Sequence, residues 1–115
     1  MKWAERSRAT ADLHLWRKRA RHLWHLLRMT RGLTRRSTAP FAASLDQLIE
    51  VLGLDHDHAL LAERLALAPH DPSLQWQLTL IADRRRAMAD DAFTLGAEIY
   101  ARKPKAFARR YRLAP

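Results

Sequence analysis

The chain has 115 residues, 48% of them hydrophobic, which is enough for one folded domain with a modest core and excludes a disordered basic tail. Cysteine is absent, which excludes disulfides, thiolate metal sites and cysteine nucleophiles and fits a reducing compartment. Lys and Arg number 21 against 12 Asp and Glu, a formal charge of +9 that calls for an acidic partner: nucleic acid, a phosphate polymer or an anionic membrane.

No apolar run is long enough to span a bilayer. The start, Met1-Lys2-Trp3-Ala4-Glu5-Arg6, leads into an arginine-rich segment rather than an apolar signal core, so a cytoplasmic protein is expected. Periodicity predicts a first long helix over about residues 4–30. Leu13, Trp16, Ala20, Leu23, Trp24 and Leu27 recur at three and four residues and form a packing stripe. His14, Arg17, Lys18, Arg21, His25 and Arg28 recur with the same spacing, centred about 120° from the first stripe at about 100° per residue. No acidic residue stands between Asp12 and Asp46, so the second stripe has no i,i+4 partners within it. Such a stripe repels itself and suits a polyanion. Arg forks, Lys point charges and neutral His donors are groups that grip phosphate. Arg19, Arg31, Arg35 and Arg36 lie off the stripe or in the loop that follows.

Gly32 is a plausible stop for this helix. Thr38 or Ala39 caps a second, short helix over about residues 40–52, with Pro40 in its first turn and Phe41, Leu45, Leu48, Ile49 and Leu52 inward. Gly53 is expected to end it. Asp55 is expected to cap a third helix reaching about residue 68, with Leu60, Leu61, Leu65 and Leu67 available for packing. Asp71-Pro72 is an N-cap and first-turn pair that opens a long fourth helix to about residue 101. Its stripe is Leu74, Leu78, Ile81, Arg85, Met88, Ala92, Leu95 and Ile99. Arg85 in an inward slot either snorkels to the bundle edge or points into an anion-filled cavity. Lys103-Pro104 breaks the helix, and residues 104–112 form a short basic tail helix with Lys105, Arg109 and Arg110. The expected fold is all-α: one domain over residues 1–115, an antiparallel helical bundle of two long helices, two short helices and a short C-terminal helix.

Other chemistry is sparse. Asp55-His56-Asp57-His58 looks like a metal tract, but consecutive helical residues point apart, and a capping Asp followed by a functional His56 is the better reading. His22 and His25 have no carboxylate close in sequence. No Gly-rich phosphate loop, HExxH motif, nucleophile elbow or Mg²⁺-holding carboxylate cluster is present, so neither an enzyme nor a cofactor or metal is expected. The charge also suits a nucleic-acid-binding helical domain, but no exposed aromatics or Asn and Gln accompany the basic residues for stacking or base reading. A third reading docks the stripe on an acidic protein.

The segment Leu13-His14-Leu15-Trp16-Arg17-Lys18-Arg19-Ala20-Arg21-His22-Leu23-Trp24 resembles the H-x-x-R-K-x-x-[KR] signature of the CHAD family, the conserved histidine α-helical domains. Leu52-Gly53-Leu54-Asp55-His56-Asp57 resembles that family's L-G-x-x-H-D segment, and residues 99–110 its C-terminal segment with a K-P-x-x-F core. The resemblance implies an all-helical, non-catalytic domain that binds inorganic polyphosphate in a basic cavity or groove, with residence at polyphosphate granules. It maps His14, Arg17, Lys18, Arg21, Arg28 and His56 onto motif positions and extends to Arg85, Lys103, Lys105 and Arg109. His25 stands where a tyrosine is usual. The family domain has two similar helical units, and this chain resembles the C-terminal one. It is then a fragment lacking an N-terminal half or a stand-alone half, and a homodimer would restore the pseudo-twofold arrangement.

Overall fold

The computed structural model describes residues 1, 4, 8–34, 36–69, 71–101 and 104–112. They form an all-α fold of four helices: α1 Thr10–Met29, α2 Ala39–Ala66, α3 Pro72–Ile99 and α4 Pro104–Arg110. The expected bundle stands, but its make-up differs. The two short helices are one continuous α2, so the described elements are three long helices and a tail helix.

Gly53 does not end α2 because the inward face runs straight through it. Leu45, Leu48, Leu52, Asp55 and Ala59 are buried at spacings of three and four. A mid-helix glycine is unfavourable by only about 1 kcal/mol, which burial of this face readily offsets. Asp55 is therefore no cap but a buried mid-helix residue. Leu60, Leu61 and Leu67, expected to pack, are exposed.

The helix expected from about residue 4 is interrupted: Ala4 is helical, but α1 begins at Thr10. Arg8 adopts a left-handed φ of 49°, its amide bonded to the Ala4 carbonyl at 2.7 Å, which turns the chain before α1. Its guanidinium pairs with Asp90 and lies 5.2 Å over the Phe93 ring, tying this turn to α3. Gly32, at φ 79°, makes the turn after α1. Asp71 caps α3 as expected, accepting from the Ser73 amide at 3.0 Å.

Leu13, Trp16, Ala20 and Leu27 of α1 join Leu45, Leu48 and Leu52 of α2 and Ala92 and Ile99 of α3 in one core. Trp16, fully buried, stacks on Phe93 at 5.4 Å and reaches Tyr100 Oη with its indole N–H at 3.5 Å. Phe41, Phe107 and Tyr111 form an aromatic cluster that seats α4 against the start of α2.

Asp55 and Arg85 occupy facing inward slots of α2 and α3. Arg85 Nε donates to Asp55 Oδ1 at 3.0 Å, and Nη2 to Asp55 Oδ2 at 3.3 Å and to Thr10 Oγ1 at 2.9 Å. One guanidinium thus ties the start of α1 to both other long helices. The far halves of α2 and α3 continue beyond this clasp.

Candidate functional site

His14 and Arg17 are one turn apart on α1 and meet α2 where Gly53 and His56 are one turn apart. The His14 and His56 rings stack at 4.3 Å between centroids, 16° from parallel. Arg17 lies on the bare backbone of Gly53: a Cβ there would sit 3.3 Å from its Nε and 3.5 Å from its Nη2. In this crossing His14 Nδ1, His56 Nδ1 and Arg17 Nε are buried with no hydrogen-bond partner. A buried polar atom without a partner is unfavourable by about 1–3 kcal/mol, so three together on two turns stand out. Burial pushes the His14 imidazole below its ordinary value of 6.5, and His56, Lys18 and Arg17 act in the same direction.

Lys18, Arg21, His25 and Arg28 continue along α1, all exposed. Among the described residues, none of Arg17, Lys18, Arg21 and Arg28 makes a salt bridge. Arg28 lies over the Trp24 ring at 4.9 Å, a contact that uses the guanidinium face. From His14 to Arg28 the row runs about 21 Å at 1.5 Å per residue.

The other candidates sit apart from it. Arg85 is held by Asp55 and Thr10, as described, and with Arg8 and Arg86 it lines a cavity of about 340 Å³ away from the row. Arg109 is exposed on α4. Lys103 and the side chain of Lys105 lie outside the described residues. The residues of Asp55-His56-Asp57-His58 diverge: Asp55 turns to Arg85, His56 to His14, Asp57 to solvent, and His58 Nδ1 lies 2.8 Å from the Leu54 carbonyl oxygen. Among the described residues no helix is long and apolar enough to cross a membrane.

Sequence reasoning missed the part played by Gly53. It took the residue for a helix stop, whereas it is the bed on which Arg17 lies. The signal was the inward spacing Leu52, Asp55, Ala59, which carries the helix across the glycine and leaves it needing another explanation.

Comparison with known proteins adds one finding. No curated protein and no solved structure matches the chain. The sequence model of the CHAD domain matches residues 2–66, which include all of α1 and α2 and hence both halves of the crossing. With more than half its length matched, this chain belongs to the CHAD domain family.

Proposed function

We propose that the protein binds inorganic polyphosphate, without chemical conversion, along the row formed by His14, Arg17, Lys18, Arg21, His25 and Arg28 of α1 with His56 of α2. The observation that carries this reading is the α1–α2 crossing. Two stacked histidines and an arginine hold three buried polar atoms without partners among the described residues, at one end of a cationic row that makes no salt bridge among them. Family membership supports the same ligand class. A phosphate chain along about 21 Å of helix makes repeated contacts, which favours long chains over single phosphates. Arg109 and Lys105 on the tail helix, and Lys103 before it, add positive charge. Arg85 acts through the fold, since its guanidinium is already shared between Asp55 and Thr10. The chain works as one helical unit, in the cytoplasm at phosphate stores, and a second copy supplies the other unit.

Titration of the protein with long-chain polyphosphate, with DNA and RNA as competitors, tests the reading. The expected outcome is saturable binding that weakens at least tenfold when Arg17, Lys18 and Arg21 are changed to Ala, with unchanged helical content. Displacement of polyphosphate by DNA or RNA at equal phosphate concentration would replace it with the nucleic-acid reading. No binding at physiological salt would leave docking to an acidic protein.

A further inference from the structure

A cavity of about 670 Å³ opens where the end of α1 meets the start of α2, between Trp24, Arg28, Arg31, Ser37 and Thr38. Among the described residues its walls carry two guanidinium groups and no carboxylate. Thr38 is 7% exposed, yet its hydroxyl makes no capping hydrogen bond. An N-cap threonine ordinarily accepts from an amide of the first turn, and this one does not. Pro40 has no N–H, and the Ala39 amide donates to Ser37 Oγ at 3.3 Å. The Phe41 amide is among the first-turn donors that have no intrahelical carbonyl.

The chemistry of this set is that of an anion seat. A long helix presents its positive end, the hydroxyl of the largely buried Thr38, free of a capping bond, lines the cavity, and two arginines flank it. Arg28 has its face on Trp24 and its N–H edges left over, while Arg31 is exposed and without a salt bridge among the described residues. We infer that this cavity binds a doubly charged tetrahedral phosphate group, either free inorganic phosphate or the end group of a phosphate chain. A terminal group suits it better than an internal one because it carries a further charge and a further acceptor oxygen. Arg28 is both the last cation of the α1 row and part of this wall, so a chain lying on the row is delivered end-first to the start of α2. In that second case the inference rests on the polyphosphate reading; in the first it stands alone.

The test is an amide NMR titration of the full chain with orthophosphate, tripolyphosphate and long-chain polyphosphate. Orthophosphate or tripolyphosphate is expected to shift the Thr38 and Phe41 amides saturably. Thr38→Val is expected to weaken that response about tenfold, without loss of fold because no capping bond is removed. Arg31→Ala, at an exposed position, is expected to weaken it by a similar factor. A response to orthophosphate assigns free phosphate; a response to tripolyphosphate alone assigns chain ends. No saturable shift with either, or an unchanged dissociation constant in both variants, overturns the inference. The row and the cavity fail separately. Loss of long-chain binding in Arg17→Ala with the Phe41 response intact supports two sites. Absence of long-chain binding in the unaltered protein, with Phe41 still responding, removes the polyphosphate reading and leaves this one.

Discussion

Gly53 sits in the middle of α2 and Gly96 in the last turn of α3, and each is small for a different reason. A methyl at Gly53 meets the far end of the Arg17 side chain, which can swing away; at Gly96 it meets the buried Trp16 ring, at 2.8 Å from Cζ2 and 3.0 Å from Cη2. Gly53→Ala should keep or raise thermal stability, gaining about 1 kcal/mol of helix propensity, while polyphosphate binding falls about tenfold through loss of Arg17 placement. Gly96→Ala should destabilise by about 1–3 kcal/mol through overpacking, less the same propensity gain. Thermal unfolding beside a binding titration separates the two, and a Gly53→Ala protein that binds normally would remove Arg17 from the site. His14 gives a pH signature. Its folded-state value lies below the ordinary 6.5. As pH falls below 6.5, the unfolded chain takes up the proton first, so stability declines towards the depressed value and is flat above 6.5. A bound polyanion favours imidazolium, so affinity should rise across the same acidic window. His14→Gln should flatten both trends, read by unfolding and by titration from about pH 7.5 to about pH 5.5.

At the scale of elements, the clasp of Asp55 on α2, Arg85 on α3 and Thr10 on α1 fixes how the three long helices meet. Asp55 is almost fully buried, and the Arg85 side chain is 24% exposed. Asp55→Ala strands a cation with partial access to water, so the loss should fall near the low end for a broken buried pair, about 3 kcal/mol. The double change Asp55→Leu with Arg85→Met should recover most of it, since a buried pair replaced by apolar residues of similar volume is often neutral. Urea unfolding of the three proteins checks this, and a double variant no better than Asp55→Ala would show that the clasp contributes more than pairing. The same clasp explains what the sequence alone made plain and what it hid. The stripes of α1 and α3 and the cap at Asp71 follow from spacing and local chemistry, so they could be read directly. The continuity of α2 could not, because a glycine and an aspartate two residues apart look like a stop and a cap. Only the facing charge at Arg85, in an equally inward slot, shows that Asp55 is interior. In the site, His14, Arg17 and His56 were legible as motif residues. The seating of Arg17 on Gly53 depends on how α1 crosses α2, which local periodicity does not fix. Thr38 and Arg31 were hidden for the same reason, since their cavity exists only once the loop has folded back.

The whole molecule is more open than its length requires. A compact chain of this size has a radius of gyration of about 13 Å, against 17.5 Å here. Its expected surface is about 6500 Å², against 8298 Å². The excess, about 1800 Å², is the area one partner gives to a large homodimer interface. The exposed apolar residues show where that area lies. Leu15, Leu26 and Met29 share a third face of α1, beside the cationic row, and Met29 is 76% exposed. Leu60, Leu61, Trp76 and Leu80 are exposed on the halves of α2 and α3 beyond the clasp. A second copy seated on the α1 face would flank the row with its own, converting an open stripe into a cleft. Two such rows repel, so pairing should be favoured by a polyanion lying between them and by added salt. Light scattering should therefore give twice 13.4 kDa in the presence of long-chain polyphosphate, and Leu26→Glu with Met29→Glu should return the mass to that of one chain. A single-chain mass for the unaltered protein at saturating polyphosphate would mean that the α1 face is not covered by a second copy, and that the row binds its ligand as an open surface.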